Sequence, residues 1–249
     1  MITSSIPENW NDLQNEVGRL LEECGFSVEI EKKVQTVRGE VELDVYAQEE
    51  VKGRKYSIVC ECKHWKARIP QNVVHGFRTV IADIGANAGY IVSLAGFQEG
   101  SYKAAELTNT ELVTWRELQD KFELSWYENF FSPQIAERLD PLMTYAEPFL
   151  PKWFKDLDEN QQQEYLGLKE KHDEFGWLMM TFTPYHRVFK NDPITALPIV
   201  DHLPQNSILL KKLPEKLLNA SSYREFLEES TLYGEEAIRS FRKLRDSVS

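Results

Sequence analysis

Gly39-Glu-Val-Glu-Leu-Asp44, a polar turn at Lys52-Gly53-Arg54, and then Tyr56-Ser-Ile-Val-Cys-Glu61-Cys-Lys63 decide how this chain reads. Strand side chains alternate faces with a period of two. Val41, Leu43 and Val45 are therefore expected on one face of the first strand, with Glu40, Glu42 and Asp44 on the other. On the second strand Ile58, Cys60 and Cys62 share a face, and Val59, Glu61 and Lys63 share the opposite one. Paired as a hairpin, the two strands bring Asp44, Glu61 and Lys63 to one end of a sheet. Two carboxylates so placed suit a hard divalent cation, and an ammonium beside them can orient a water or face a phosphate. A Glu–Lys pair two residues apart is also ordinary surface decoration. Ile58-Val59-Cys60, however, reads as a strand buried on both faces, where terminal ionisable groups are costly unless paired or metal-bound.

The flanking segments extend the pattern. Pro7 suits a first helical turn with Ser5 as cap, and Trp10, Leu13, Val17, Leu20 and Leu21 then repeat at helical spacing until Gly25. Glu16 sits beside that apolar face, where it can reach a strand end. Ser27 to Val34 reads as a strand preceding the Asp44 strand. Pro70 opens a second helix, with Val73, Val74, Phe77, Val80, Ile81 and Ile84 periodic and Gly85-Ala-Asn87 as its stop. Gly89 to Leu94 and Leu112 to Thr114 read as strands, with a short helix near Tyr102 to Leu107 between them. This alternation predicts a central mixed sheet covered by helices. Gln71, Asn72 and His75 begin the second helix, whose N-terminus favours an anionic phosphate. Trp65 is expected to pack in the core, with stacking on a base as the alternative.

This ordered set resembles the core of the PD-(D/E)XK nucleases, and more narrowly the Mrr-like restriction endonuclease domain. The resemblance rests on Leu20-Leu-Glu-Glu-Cys-Gly-Phe26, Gly39 to Asp44, Val59-Cys-Glu-Cys-Lys-His-Trp65, the Pro70-Gln71 helix start and Gly89-Tyr-Ile-Val-Ser-Leu-Ala-Gly-Phe97. It covers about the first half of the chain. Leu43 stands where the family often has proline before the aspartate. The resemblance implies a restriction-endonuclease-like α/β fold and Mg²⁺, with Mn²⁺ as a substitute, held by Asp44, Glu61 and the Cys62 carbonyl. It also implies Lys63 as the catalytic lysine, an assisting acidic residue on the first helix, here Glu16, and hydrolysis of DNA to a 5′-phosphate. Restriction or antiviral defence is the implied setting.

Composition bounds the rest. The 249 residues allow one large domain or two small ones, and the net charge of −11 opposes constitutive coating of DNA. Between Lys52 and Arg78, though, Lys52, Arg54, Lys55, Lys63, Lys66, Arg68 and Arg78 face a single acid, Glu61, in a stripe expected to bracket the site. No apolar run is long enough to span a membrane, and Met1 to Pro7 does not read as a signal peptide. Cys24, Cys60 and Cys62 fall on core elements, which predicts reduced thiols and a cytoplasmic protein; Cys60-x-Cys62 is expected to pack into the sheet.

After about residue 122 the texture changes to aromatic clusters and short helical pieces punctuated by Pro133, Pro141, Pro148 and Pro151. Asp158 to Met180, a Pro214-interrupted Leu209 to Leu218, and Ser221 to Val248 read as helices. The expected organisation is a nuclease-like domain over 1–122 and a mainly helical domain over 123–249 for assembly, sensing or partner binding. The expected activity is that of a metal-dependent DNA endonuclease. Cutting both strands takes two sites, so a homo-oligomer is expected, with a protein partner or activator for the helical half. The alternatives are a non-catalytic nuclease-fold interaction subunit and a nuclease for junctions or repair.

Overall fold

A computed structural model describes residues 1–146, 149–184 and 194–248; Pro148 lies outside them. The chain forms two compact units, one of Met1 and Ser5–Asn129, the other of Ile2–Ser4 and Phe130–Ser249.

The first unit is built on a five-stranded sheet in the order β1-β2-β3-β4-β5. These are β1 (Ser27–Thr36), β2 (Gly39–Val51), β3 (Arg54–Lys63), β4 (Ala88–Ser93) and β5 (Thr110–Thr114). β1, β2 and β3 run antiparallel through tight turns, and β3, β4 and β5 run parallel. Parallel neighbours need crossovers, which α2 (Gln71–Ile84) and α3 (Glu99–Ala105) provide. α1 (Trp10–Glu23) precedes the sheet and α4 (Trp115–Trp126) follows it. The restriction-endonuclease-like mixed sheet flanked by helices, with a helical C-terminal region after it, is therefore the observed fold.

Helices cover both faces, as the residues of β4 demand. All six of its residues are buried. Gly89 faces α2 so closely that an added Cβ would lie 2.8 Å from Ile81 and Phe77 side-chain carbons. Tyr90, turned the other way, packs edge-on against Phe122 of α4 at 5.8 Å. On the α2 side Leu43, Val59, Val74, Phe77, Ile81 and Ile91 form one buried cluster. α1 begins later than Pro7: Asn9 is its N-cap and accepts the Asp12 amide, leaving Pro7 in the segment before the helix.

In the second unit α5 (Ser132–Ala146), α6 (Glu159–Met180) and α9 (Tyr223–Asp246) pack together, with the short α7 (Leu209–Lys212) and α8 (Glu215–Asn219) between the last two. α6 and α9 each start with a reciprocal capping box, Asp158 with Gln161 and Ser222 with Glu225. The expected one or two C-terminal helices are one. Fully buried Phe131, Tyr165, Phe175, Phe182, Phe226 and Phe241 make this core largely aromatic. α5 and α9 approach closely at Gly234, where a Cβ would lie 2.4 Å from a Leu139 methyl. No helix among the described residues is long and apolar enough to cross a membrane.

Candidate active site

The alternation expected of β2 breaks at Asp44. Leu43 joins the α2-side cluster, and so does Tyr46, three residues on, which strict period two forbids. Val45 pairs with Ile30, and Ile30 packs against Gly18 of α1, on the opposite face. Val41, Leu43 and Val45 therefore do not share a face. The cause lies across the ladder: Glu31 has φ +55° and drops out of the register between Ile30↔Val45 and Lys32↔Leu43. A non-glycine residue in the left-handed region distorts the strand locally. One residue is skipped on each strand, Glu31 and Asp44, so this bulge-like kink inserts no extra residue but re-aims the side chains around it.

At the same point β2 and β3 part, their last ladder pair being Val45↔Cys60. Asp44 takes the next place in the ladder with its side chain, Oδ2 accepting the Cys62 amide at 2.7 Å. An extended residue turns N–H and C=O to the same strand edge. The Cys62 carbonyl therefore also faces the Asp44 side, as a ligand there requires. Cys62 itself is buried, as are Cys24 and Cys60, all three free. Burial pushes the Cys24 thiol up to about 12 and raises Cys60 and Cys62 as well, which leaves inert thiols.

Glu61 and Lys63 project from the same side of β3 as an ion pair, both about a quarter exposed or less. Burial first, then the charge of Glu61, push the Asp44 carboxyl up to about 6; the Cys62 amide, Lys63 and a hydrogen bond from Trp10 oppose them. Among the described residues no three His, Cys, Asp or Glu side chains form a metal cage. The hard oxygen donors on offer are two carboxylates and one carbonyl, a set that fits Mg²⁺ or Mn²⁺.

Glu16 is elsewhere engaged: it pairs with Arg19 at 3.8 Å and is not among the groups that act on Asp44. α1 instead reaches the site through Trp10 and Gln14, one helical turn apart. Gln14 is fully buried, and its Nε2 donates to the Asp44 carbonyl at 2.7 Å. Its Oε1 is buried without a partner. In the sequence Gln14 stands only as a lone amide within an otherwise apolar helix stripe, which marks the residue but not its partner. His64 bonds through Nε2 to the Pro7 carbonyl at 3.1 Å, tying the segment before α1 to the end of β3.

Trp65 is 45% exposed rather than buried, with Lys63 Nζ 5.9 Å from its ring, because the chain has left the sheet by residue 64. The basic stripe divides. Lys66 and Arg68 are exposed in the loop after β3, beside the site. Lys52, Arg54 and Lys55 sit at the opposite end of β3, some ~26 Å away at ~3.3 Å per residue. They do not bracket the carboxylates. Arg78 binds the Ala104 carbonyl at 2.8 Å. The N-terminus of α2, with exposed Gln71 and Asn72, follows the site end of β3. A parallel bridge, Ile69↔Phe97, and the Ile69 amide bond to Gly96 at 3.0 Å hold that loop.

Residues 8–122 match the family model of the Mrr-type catalytic domain, described as a restriction endonuclease. The match spans the N-terminal part of the chain, where the ordered motifs lie, and gives that part the character of a restriction-endonuclease-type domain. No curated protein matches the chain. A solved structure titled "Crystal Structure of Protein of Unknown Function AF1548" aligns with TM-score 0.39 and 17% identity, over 96% of this chain and 100% of that one. A likeness so loose carries no weight for fold or function.

Proposed function

We propose that this protein is a metal-dependent DNA endonuclease whose reaction centre is Asp44, Glu61 and Lys63. The observation that carries the reading is their convergence where β2 and β3 part, with Asp44 held back from ionising by its burial first and by the Glu61 charge second. Two acids and one lysine in that arrangement have their opposed charges best satisfied by a further cation. Asp44, Glu61 and the Cys62 carbonyl would hold Mg²⁺ or Mn²⁺. When bound, the ion supplies Lewis acidity towards a phosphate oxygen and lowers the pKa of a water.

The chain's own residues do the remainder. Lys63, freed from Glu61 once that carboxylate has another partner, presents an ammonium to the attacked phosphate and stabilises its added charge. Gln14 and the Cys62 amide hold the main chain and carboxylate of Asp44 in one orientation. The N-terminus of α2, Lys66 and Arg68 supply positive potential for the flanking phosphates. The match of residues 8–122 to a restriction endonuclease model supports restriction or defence as the setting, with the helical residues 123–249 as the assembly or sensing part. Cutting both strands would take two such sites, which a homo-oligomer would supply.

The test is incubation of the purified protein with supercoiled and linear DNA and Mg²⁺ or Mn²⁺, beside Asp44→Ala and Lys63→Ala. Cleavage is expected from the wild type alone, with both variants reduced by about a thousandfold or more. Cleavage that survives in both would remove this site from the chemistry. Neither metal binding nor cleavage on linear, supercoiled or branched DNA would favour a non-catalytic interaction subunit.

A further inference from the structure

The second unit carries a groove that nothing above uses. It runs along α5 and α9 in two compartments that share Pro141 and Arg242. One, of about 370 Å³, has an aromatic wall of Tyr145, Phe149, Trp153 and Tyr165. The other, of about 270 Å³, is flanked by Arg138 and Arg239, with Glu235 as its one acid.

The walls are built rather than incidental. Tyr145 stacks on Phe241 at 4.5 Å with rings nearly parallel, and Trp153 meets Tyr165 edge-on at 5.4 Å. These contacts fix the wall from behind, with Tyr145 and Tyr165 buried, while Trp153 is half-buried and Phe149 at the rim is 79% exposed. Arg239, Arg242 and Arg245 recur every third residue, so they share one face of α9. Arg245 is committed to Asp246 at 2.7 Å. Arg138 bonds Gln134, and Arg239 bonds the Glu235 carbonyl, each through Nε rather than through a terminal nitrogen. Arg242, at the junction of the compartments, is exposed and has no ion pair among the described residues.

In a chain of net charge −11, three guanidiniums facing one acid form a local exception. Guanidinium forks match phosphate, and rigid aromatic faces match a planar heterocycle. We propose that this groove binds a nucleoside phosphate, its base against Tyr145, Phe149 and Trp153 and its phosphate on Arg242 with Arg138 and Arg239. A free nucleotide fits better than a nucleic-acid strand. The compartments match a small ligand in volume, and the acidic chain repels a long polyanion.

The test is calorimetric titration of the full-length protein with AMP, ATP, adenosine and inorganic phosphate, in excess chelator so that the Asp44 site takes no metal-bound nucleotide. Saturable binding of AMP or ATP is expected, with adenosine and phosphate each at least about tenfold weaker. Arg242→Ala should weaken binding by about tenfold or more, and Trp153→Phe should retain most of it, with circular dichroism unchanged in both. Asp44→Ala should bind as the wild type does, so failure of the nuclease reading leaves this result standing. The proposal is overturned by no binding at millimolar nucleotide, or by Arg242→Ala binding unaltered. It is equally overturned by phosphate binding as tightly as nucleotide (an adventitious ion only), or by binding of a single-stranded oligonucleotide alone.

Discussion

Asp44 is held against its own ionisation, and its stability signature follows from that. Its folded carboxyl lies at about 6, above the ordinary aspartate value of 3.8. Below about pH 4 both folded and unfolded forms are protonated and the native state bears no cost. As pH rises from about 4 to 6 the unfolded chain releases its proton first, so stability is lost through that window. Asp44→Asn keeps an acceptor for the Cys62 amide and removes the charge. It should stabilise the protein at pH 7.5 by on the order of 1–2 kcal/mol, after discounting for partial solvent exposure, and by nearly nothing at pH 4. Denaturant melts at the two pH values without metal test this; a variant less stable than wild type at pH 7.5 would contradict it. Added Mg²⁺ should close the gap by stabilising only the wild type. Gln14 acts on the same residue through the main chain. Gln14→Ala should cut DNA cleavage by roughly 10–100-fold while Lys63→Ala remains the more severe change. Equal rates for wild type and Gln14→Ala would make the amide merely structural. Asp44, Glu61 and Lys63 could be singled out in the sequence because the turn that pairs their strands is local, although the alternation expected along β2 fails at Asp44. Gln14 and Trp10 were not, because which turn of α1 faces Asp44 depends on how the helix docks on the sheet.

The decisive element feature is the kink that sets Glu31 opposite Asp44. A left-handed backbone costs an ordinary residue about 1–2 kcal/mol. Glu31→Gly should therefore be neutral or stabilising, and Glu31→Val destabilising by about that amount, although the side chain is exposed. Thermal melts of the pair check the sign; a tolerated valine would mean the kink relaxes freely. Gly89 is the matching constraint on β4. Gly89→Ala drives a methyl into Ile81 and Phe77 and should cost about 1–3 kcal/mol. The strands and helices around these residues were readable from periodicity and turn residues. The kink was not, since Glu31 lies in an alternating, polar strand and nothing in its immediate neighbours demands a positive φ.

Across the whole molecule, charge must be sorted by place rather than by sequence order. Lys66 and Arg68 lie at the site end of β3, whereas Lys52, Arg54 and Lys55 lie at its far end. Lys66→Glu with Arg68→Glu should lower DNA cleavage at moderate salt by about tenfold or more; the same reversal at Lys52 and Arg54 should change it little. Equal effects would mean that net charge alone governs binding. The units themselves are discontinuous in sequence, since Ile2–Ser4 belongs with the C-terminal unit. There Ile2 is fully buried and its carbonyl accepts the Arg224 amide at 3.0 Å. By itself the sequence determined the order of strands and helices, the mixed sheet and the buried thiols, and it singled out Asp44, Glu61 and Lys63 as candidates. These follow from alternation, helical periodicity and turn chemistry within short windows. Only the tertiary structure decided which way Asp44 is aimed, that Gln14 and Trp10 rather than Glu16 attend it, and that Arg138 and Arg242 share one groove. Each of those depends on contacts between segments far apart in the chain, whose geometry is set by packing rather than by local pattern.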